Sequence, residues 1–217
     1  MRWVFDHLDE LLSTSWDHLG LALIPVLIGL VISVPLGWVS HRWKLARSIL
    51  VPASSLLYTI PSLALFVLMP LILGTRILDT TNVPAALTLY TIALLVRSVA
   101  DALDAVPRDT IAAATAIGFG PTRRFFAVEF PLSVPVLLAG VRVAAVSNIA
   151  LVSVGAIIGI GGLGQYITDG QQRNNYPEII AAIVLIMVLA LLVDAVLVAV
   201  GRYLTPWTRA RTRVVTA

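Results

Sequence analysis

Residues 112–131 read Ala112-Ala113-Ala114-Thr115-Ala116-Ile117-Gly118, nine further residues, and then Val128-Glu129-Phe130-Pro131. Pro107 suits the first turn of a helix, and the alanine-rich run that follows favours its propagation. Gly118 suits the left-handed position that ends such a helix. Gly120-Pro121 can open a second short helix through Glu129, with Pro131 helping to end it. Two short helices at an angle, with Phe119 at the bend and Arg123, Arg124, Phe125 and Phe126 behind it, form a compact knob. A bare linker has no use for two adjacent phenylalanines. They either enter a partner's groove or pack under the chain's own neighbouring helices.

The segments on either side set the fold class. Hydrophobic residues make up 59% of the 217-residue chain and charged residues only 12%, about half the charge of a soluble domain. A helix needs about 20 apolar residues to cross a hydrocarbon core of roughly 30 Å. Five runs reach that length: 19–39, 49–73, 83–103, 132–158 and 178–204. Pro84 lies near the start of the third, and Pro25, Pro35, Pro61, Pro70 and Pro135 lie inside others; membrane helices tolerate prolines where neighbours satisfy the freed backbone groups. The expected architecture is an all-α membrane protein with about five transmembrane helices in one domain over 19–204. Before it, residues 1–18 space Val4, Leu8, Leu11, Leu12 and Trp16 helically, as an amphipathic external segment would; a frayed tail is the alternative. Residues 205–217 form a basic tail.

Basic residues distribute unevenly about these runs. Arg42, Lys44, Arg47, Arg97, Arg108, Arg123, Arg124, Arg202, Arg209, Arg211 and Arg213 fall on the side of the 104–131 loop, whereas Arg2, Arg76 and Arg173 fall on the other. By the positive-inside rule the loop and C-terminus are cytoplasmic and the N-terminus outside. The formal charge of +3 reflects these flanks, and no nucleic-acid partner is expected. The acidic residues Asp6, Asp9, Glu10 and Asp17 in the first eighteen positions argue against a cleavable signal peptide.

Catalytic signatures are missing. There is no H-E-x-x-H, G-x-S-x-G or Walker lysine loop, and His7, His18 and His41 scatter outside the expected spans. No cysteine is present, so thiolate metal sites are excluded; no cofactor and no metal are expected. Gly159-Ile160-Gly161-Gly162-Leu163-Gly164 fits G-x-G-x-x-G literally, but it follows a membrane run and no acid lies about 20 residues on, as a dinucleotide site requires. A turn that lets chains approach closely is the better reading.

Several polar groups lie within the spans. Thr59, Pro61 and Ser62, beside Tyr58, can loosen the second span and expose backbone or hydroxyl groups to a translocation path, or mark a kink facing lipid. Asn148 and Ser153 can line the same path or bridge helices. Arg142 and Asp194 are the most deeply placed ionisable groups. A charge at bilayer depth is costly and ordinarily faces protein or water in a pair. Both lie roughly 15 Å from the loop-side ends of their helices at 1.5 Å per residue, so a structural ion pair is expected. Arg97 is the alternative partner for Asp194, and a substrate contact is the alternative role.

The loop resembles the signature of ATP-binding-cassette importer permeases, E-A-A-x-x-x-G, nine residues, I-x-L-P. The spacing is intact, while Ala112 stands in place of the usual Glu, Val128 in place of Ile and Phe130 in place of Leu. Tyr58-Thr59-Ile60-Pro61-Ser62-Leu63-Ala64-Leu65 is similar to the T-I-P-S-L-A-L segment of osmoprotectant permeases for glycine betaine, choline or carnitine. Methionine and other amino-acid permeases share parts of the pattern. The resemblance implies a type I permease core in a prokaryotic cell membrane, without enzymatic activity of its own. It implies as partners a second permease subunit (identical or paralogous), two cytoplasmic ATP-binding subunits and an external substrate-binding protein. It assigns ATPase docking to Ala112, Ala113, Ala114, Gly118, Phe119, Gly120, Arg123, Arg124 and Phe125. An ion-coupled transporter using Asp194, or a membrane scaffold, would be the alternatives without it.

Overall fold

A computed structural model describes Val4 and residues 6–207, so most of the basic tail lies outside the described residues. The described residues are mostly helical, and none of them lies in a strand. In chain order they form α1 (Leu8–Arg42), α2 (Lys44–Thr59), α3 (Ser62–Leu73), α4 (Asn82–Asp104), α5 (Arg108–Ala116), α6 (Pro121–Arg124), α7 (Phe130–Gly155), α8 (Gly164–Gln172) and α9 (Tyr176–Leu204). A π-helical stretch, Phe125–Glu129, joins α6 to α7. Four continuous helical segments are long and apolar enough to cross a membrane, and the bent pair α2–α3 makes up to five.

α4 is the central post. Leu87, Leu95, Val96, Val99 and Leu103 along it are almost wholly buried. α1 lies against it through small residues: a Cβ on Gly29 would stand 2.4 Å from Thr91 Cγ2, and one on Gly37 would stand 2.4 Å from Val99 Cβ. Backbone approach this close gives van der Waals contact, which replaces the hydrophobic drive that lipid cannot supply. One core gathers Phe66, Met69, Leu87 and Ile149 near the glycine turn. A second, with Leu95, Val99, Phe125, Leu137 and Val141, lies toward the α5 loop. The outer faces are apolar too: α9 exposes Leu191, Leu192 and Val196, as a helix solvated by acyl chains must.

Three sequence expectations are corrected here. Among the described residues, 8–18 do not form a separate N-terminal helix. α1 begins at Leu8 and runs 35 residues without a break, about 52 Å at 1.5 Å per residue, because no glycine or proline interrupts residues 8–19. The second span is not straight. It starts at Lys44, and α2 and α3 meet at 105°, with Ile60 and Pro61 both extended. Proline disfavours helical backbone in the residue before it, and the Tyr90 hydroxyl donates to the Ile60 carbonyl freed by the break. Finally, Pro131 does not end a short helix. The chain runs helically from Pro121 to Ile158; Phe130 N–H bonds back to Phe125 O, and this wider π register leads into the α7 start where Pro131 sits, a position at which a missing N–H is tolerated.

Candidate functional site

The knob is built from its ends inward. α5 closes in a Schellman motif: Gly118 adopts φ +93°, its N–H bonds Thr115 O at 3.0 Å, and Phe119 N–H bonds Ala114 O at 3.0 Å. Arg124 Nη1 donates to Thr115 Oγ1 at 2.9 Å and its Nε to Glu129 at 2.5 Å, tying α5 to the π stretch. Arg123 lies over the Phe119 ring, 4.5 Å from its centroid, a cation–π contact that fixes the bend. The two phenylalanines divide their roles. Phe125 is buried, edge-on to Trp38 of α1 and beside Phe130. Phe126 is 67% exposed and Ile117 75% exposed. Ala112, Ala113, Gly118 and Gly120 are exposed as well, while Ala114 is buried. The knob therefore offers apolar tips on a corner braced from beneath.

At the α2–α3 bend, Tyr58, Thr59 and Pro61 are exposed and Ser62 is half-buried. Thr59 Oγ1 donates to Leu56 O at 2.7 Å, and the Tyr58 ring stands edge-on to Tyr90 at 5.6 Å. Asn148 is not brought to this face. It is buried, and its amide donates to Ala22 O (3.2 Å) and Thr91 Oγ1 (3.0 Å), bridging α1, α4 and α7. The Ser153 hydroxyl is buried with no hydrogen-bond partner among the described residues.

Arg142 and Asp194 do meet. Nε reaches Oδ1 and Nη2 reaches Oδ2, each at 2.7 Å, the planar fork geometry that guanidinium and carboxylate share. The pair joins α7 to α9 with side chains 40% and 30% exposed on the isolated chain. Arg97, the alternative partner, instead pairs with Asp101 one turn along α4.

Two clusters were missed in the sequence. At the loop end, Asp104 of α4 takes both His41 of α1 (2.6 Å) and Arg47 of α2 (2.5 Å), and Arg47 also reaches Asp101 (3.2 Å). At the other end, His18, expected just outside the first span, lies inside the continuous helix α1 and is fully buried. Leu163 N–H donates to its Nδ1 at 3.2 Å, so Nε2 carries the proton and donates to Ile149 O at 2.9 Å. The neutral ring pins the glycine turn onto α7. That turn is very close-packed: a Cβ on Gly155 would lie 2.1 Å from Ile160 O, and one on Gly161 would lie 2.3 Å from Ala156 N. It follows a helix and no strand, so it has no dinucleotide geometry. Nearby, Asp79 accepts from Thr81 N–H (2.9 Å) and Thr81 Oγ1 (2.7 Å), which holds its carboxyl below the ordinary value.

The described residues thus form a helical bundle that carries an exposed, braced knob. Residues 26–210 match the family described as "Binding-protein-dependent transport system inner membrane component". The chain is 36% identical over 211 residues to the osmoprotectant import permease protein OsmW of Salmonella typhimurium, covering 95% of this chain and 97% of that one. It is 32% identical to the choline transport system permease protein OpuBB of Bacillus subtilis, covering 91% of this chain and 89% of that one. Its fold is similar to an inward-facing structure of the MetNI methionine ABC transporter, with TM-score 0.78 at 23% identity over 90% of this chain and 96% of that chain. The protein thus belongs to the family of binding-protein-dependent transport system inner membrane components, as a multi-pass permease of an ABC transporter.

Proposed function

We propose that the chain is one of two permease subunits of an ATP-driven importer for a compatible solute such as glycine betaine, choline or carnitine. The solute class rests on the relatives, whose names specify osmoprotectant import, choline transport and glycine betaine/carnitine/choline transport. The coupling role rests on the knob, whose exposed Ile117 and Phe126 stand on a corner locked by Arg124 and the Gly118 turn. In this reading the knob is cytoplasmic and docks into one of two ATPase subunits, with Phe125 as its internal anchor. The start of α1 faces outside, where a binding protein delivers solute. ATPase closure moves the knob, and α6–α7 transmits the movement because it is one continuous helical rod from Pro121 to Ile158. Import is then a change of shape with no covalent chemistry in this subunit.

The test is ATP-dependent uptake in proteoliposomes holding the permease, its ATPase and its binding protein, with glycine betaine, choline, carnitine and methionine as labelled solutes. Uptake of any of the first three supports the reading. Methionine uptake alone overturns the solute class, and uptake driven by an ion gradient without ATP overturns the coupling.

A further inference from the structure

A groove of about 550 Å³ opens between α2, α4 and α7. Ser55 and Tyr58 form one wall, Arg97, Ser98 and Asp101 another, and Gly140 lies at its floor. The floor is tight, since a Cβ on Gly140 would stand 2.7 Å from Ser98 Cβ. Arg97 and Asp101 are 63% and 51% exposed, and their contact is long, 3.5 Å. Arg97 lies seven residues before the end of α4, roughly 10 Å inside the span at 1.5 Å per residue. An exposed charge at the depth of Arg97 would be costly against lipid, so it faces protein or a water-filled cavity.

The arrangement has a definite chemistry. Two opposite charges sit one helical turn apart, and an aromatic ring stands beside them, held edge-on by Tyr90. A quaternary ammonium donates no hydrogen bond; aromatic faces and carboxylates attract it. A carboxylate is taken best by the arginine fork. We propose that this groove is a binding station for a zwitterionic quaternary-ammonium solute. Arg97 takes the carboxylate, and Asp101 and the Tyr58 ring take the cationic head. Asp101 keeps its 3.2 Å contact with Arg47 when Arg97 turns to the solute, so charge stays balanced. The proposal rests on the solute class given above.

The chain has no cysteine, so Ser55→Cys places one traceable thiol in the groove, and Val143→Cys repeats the measurement from α7. The assembled transporter is placed in vesicles of phosphatidylethanolamine and phosphatidylglycerol, which supply no choline head group. Its labelling by a trimethylammonium-bearing methanethiosulfonate is then followed on this chain. Glycine betaine and choline should each slow labelling by about fivefold, the upper weight of an exposed charge contact. Arg97→Gln should abolish protection by glycine betaine and spare protection by choline; Asp101→Asn should abolish both. A labelling rate indifferent to both solutes, or protection surviving both substitutions, overturns the station. Protection without uptake would sink the importer's solute assignment and leave the groove standing. Uptake without protection would do the reverse.

Discussion

Arg142 and Asp194, 52 residues apart in sequence, meet through two parallel hydrogen bonds of 2.7 Å and clamp α7 to α9. α9 needs such a clamp. Few of its residues are buried within the chain, and between apolar helices in lipid the hydrophobic effect supplies no attraction. Each charge makes the other tolerable at bilayer depth.

Removing one partner leaves the other charge stranded, whereas removing both leaves an ordinary apolar contact. Asp194→Ala should therefore lower the yield of assembled permease more than Asp194→Ala combined with Arg142→Leu. The measurement is a double-mutant cycle on thermal unfolding in detergent; strictly additive losses would rule out direct coupling.

Gly118 tests the knob without disturbing its packing. No atom lies within 4 Å of where its Cβ would stand, so a side chain there acts only through the backbone. Holding a β-branched residue at φ +93° costs about 1–3 kcal/mol, which the loop escapes by opening the turn. Gly118→Val should insert normally but weaken ATPase co-purification or solute-stimulated ATP hydrolysis. Gly118→Asn should be milder, since asparagine visits this region. Normal transport by the valine variant would remove the knob from the coupling path.

His18 should behave as a structural pin. His18→Ala orphans the buried Leu163 N–H at a cost of about 1–3 kcal/mol, before any loss from the cavity. Gln supplies both an acceptor and a donor and should recover part of the loss. Melting curves of the assembled transporter would show the order wild type, Gln, Ala; an unchanged midpoint for Ala would mean the turn is held by its glycines alone.

The glycines of α1 should divide sharply. Ala at Gly29 or Gly37 drives a methyl into Thr91 or Val99, and overpacking typically costs about 1–3 kcal/mol. Ala at Gly20 meets nothing within 4 Å and should be neutral or slightly stabilising. Equal effects at the three positions, read from thermal stability, would refute the close α1–α4 contact.

Sidedness can be read by labelling. Cysteines replacing Thr80 or Gln171 should react with an impermeant reagent in intact cells, and those replacing Ser48 or Thr122 should not. External labelling at 122 would put the knob out of reach of a cytoplasmic ATPase.

Apolar run length and glycine placement are local properties, so the sequence alone determined the helical class, three of the spans nearly to their ends and the closed end of α5 at Gly118. The spacing of 112–131, with the run at Tyr58, also carried the family. What lay beyond it was every relation depending on two distant segments. Nothing local distinguishes Pro61, which breaks its helix, from Pro25 or Pro35, which do not; the Tyr90 hydroxyl on the Ile60 carbonyl is contributed by another helix. Phe125 and Phe126 are equal in sequence, and only Trp38 decides which is buried. Asn148 reads equally as a path residue or a helix bridge until Ala22 and Thr91 claim its amide. His18 looks like a flank residue because its two partners lie 131 and 145 positions away. Helix formation is governed by neighbours three and four residues off, and so shows in the sequence; polar satisfaction in a membrane bundle is governed by whichever helix packs alongside, which only the tertiary structure decides.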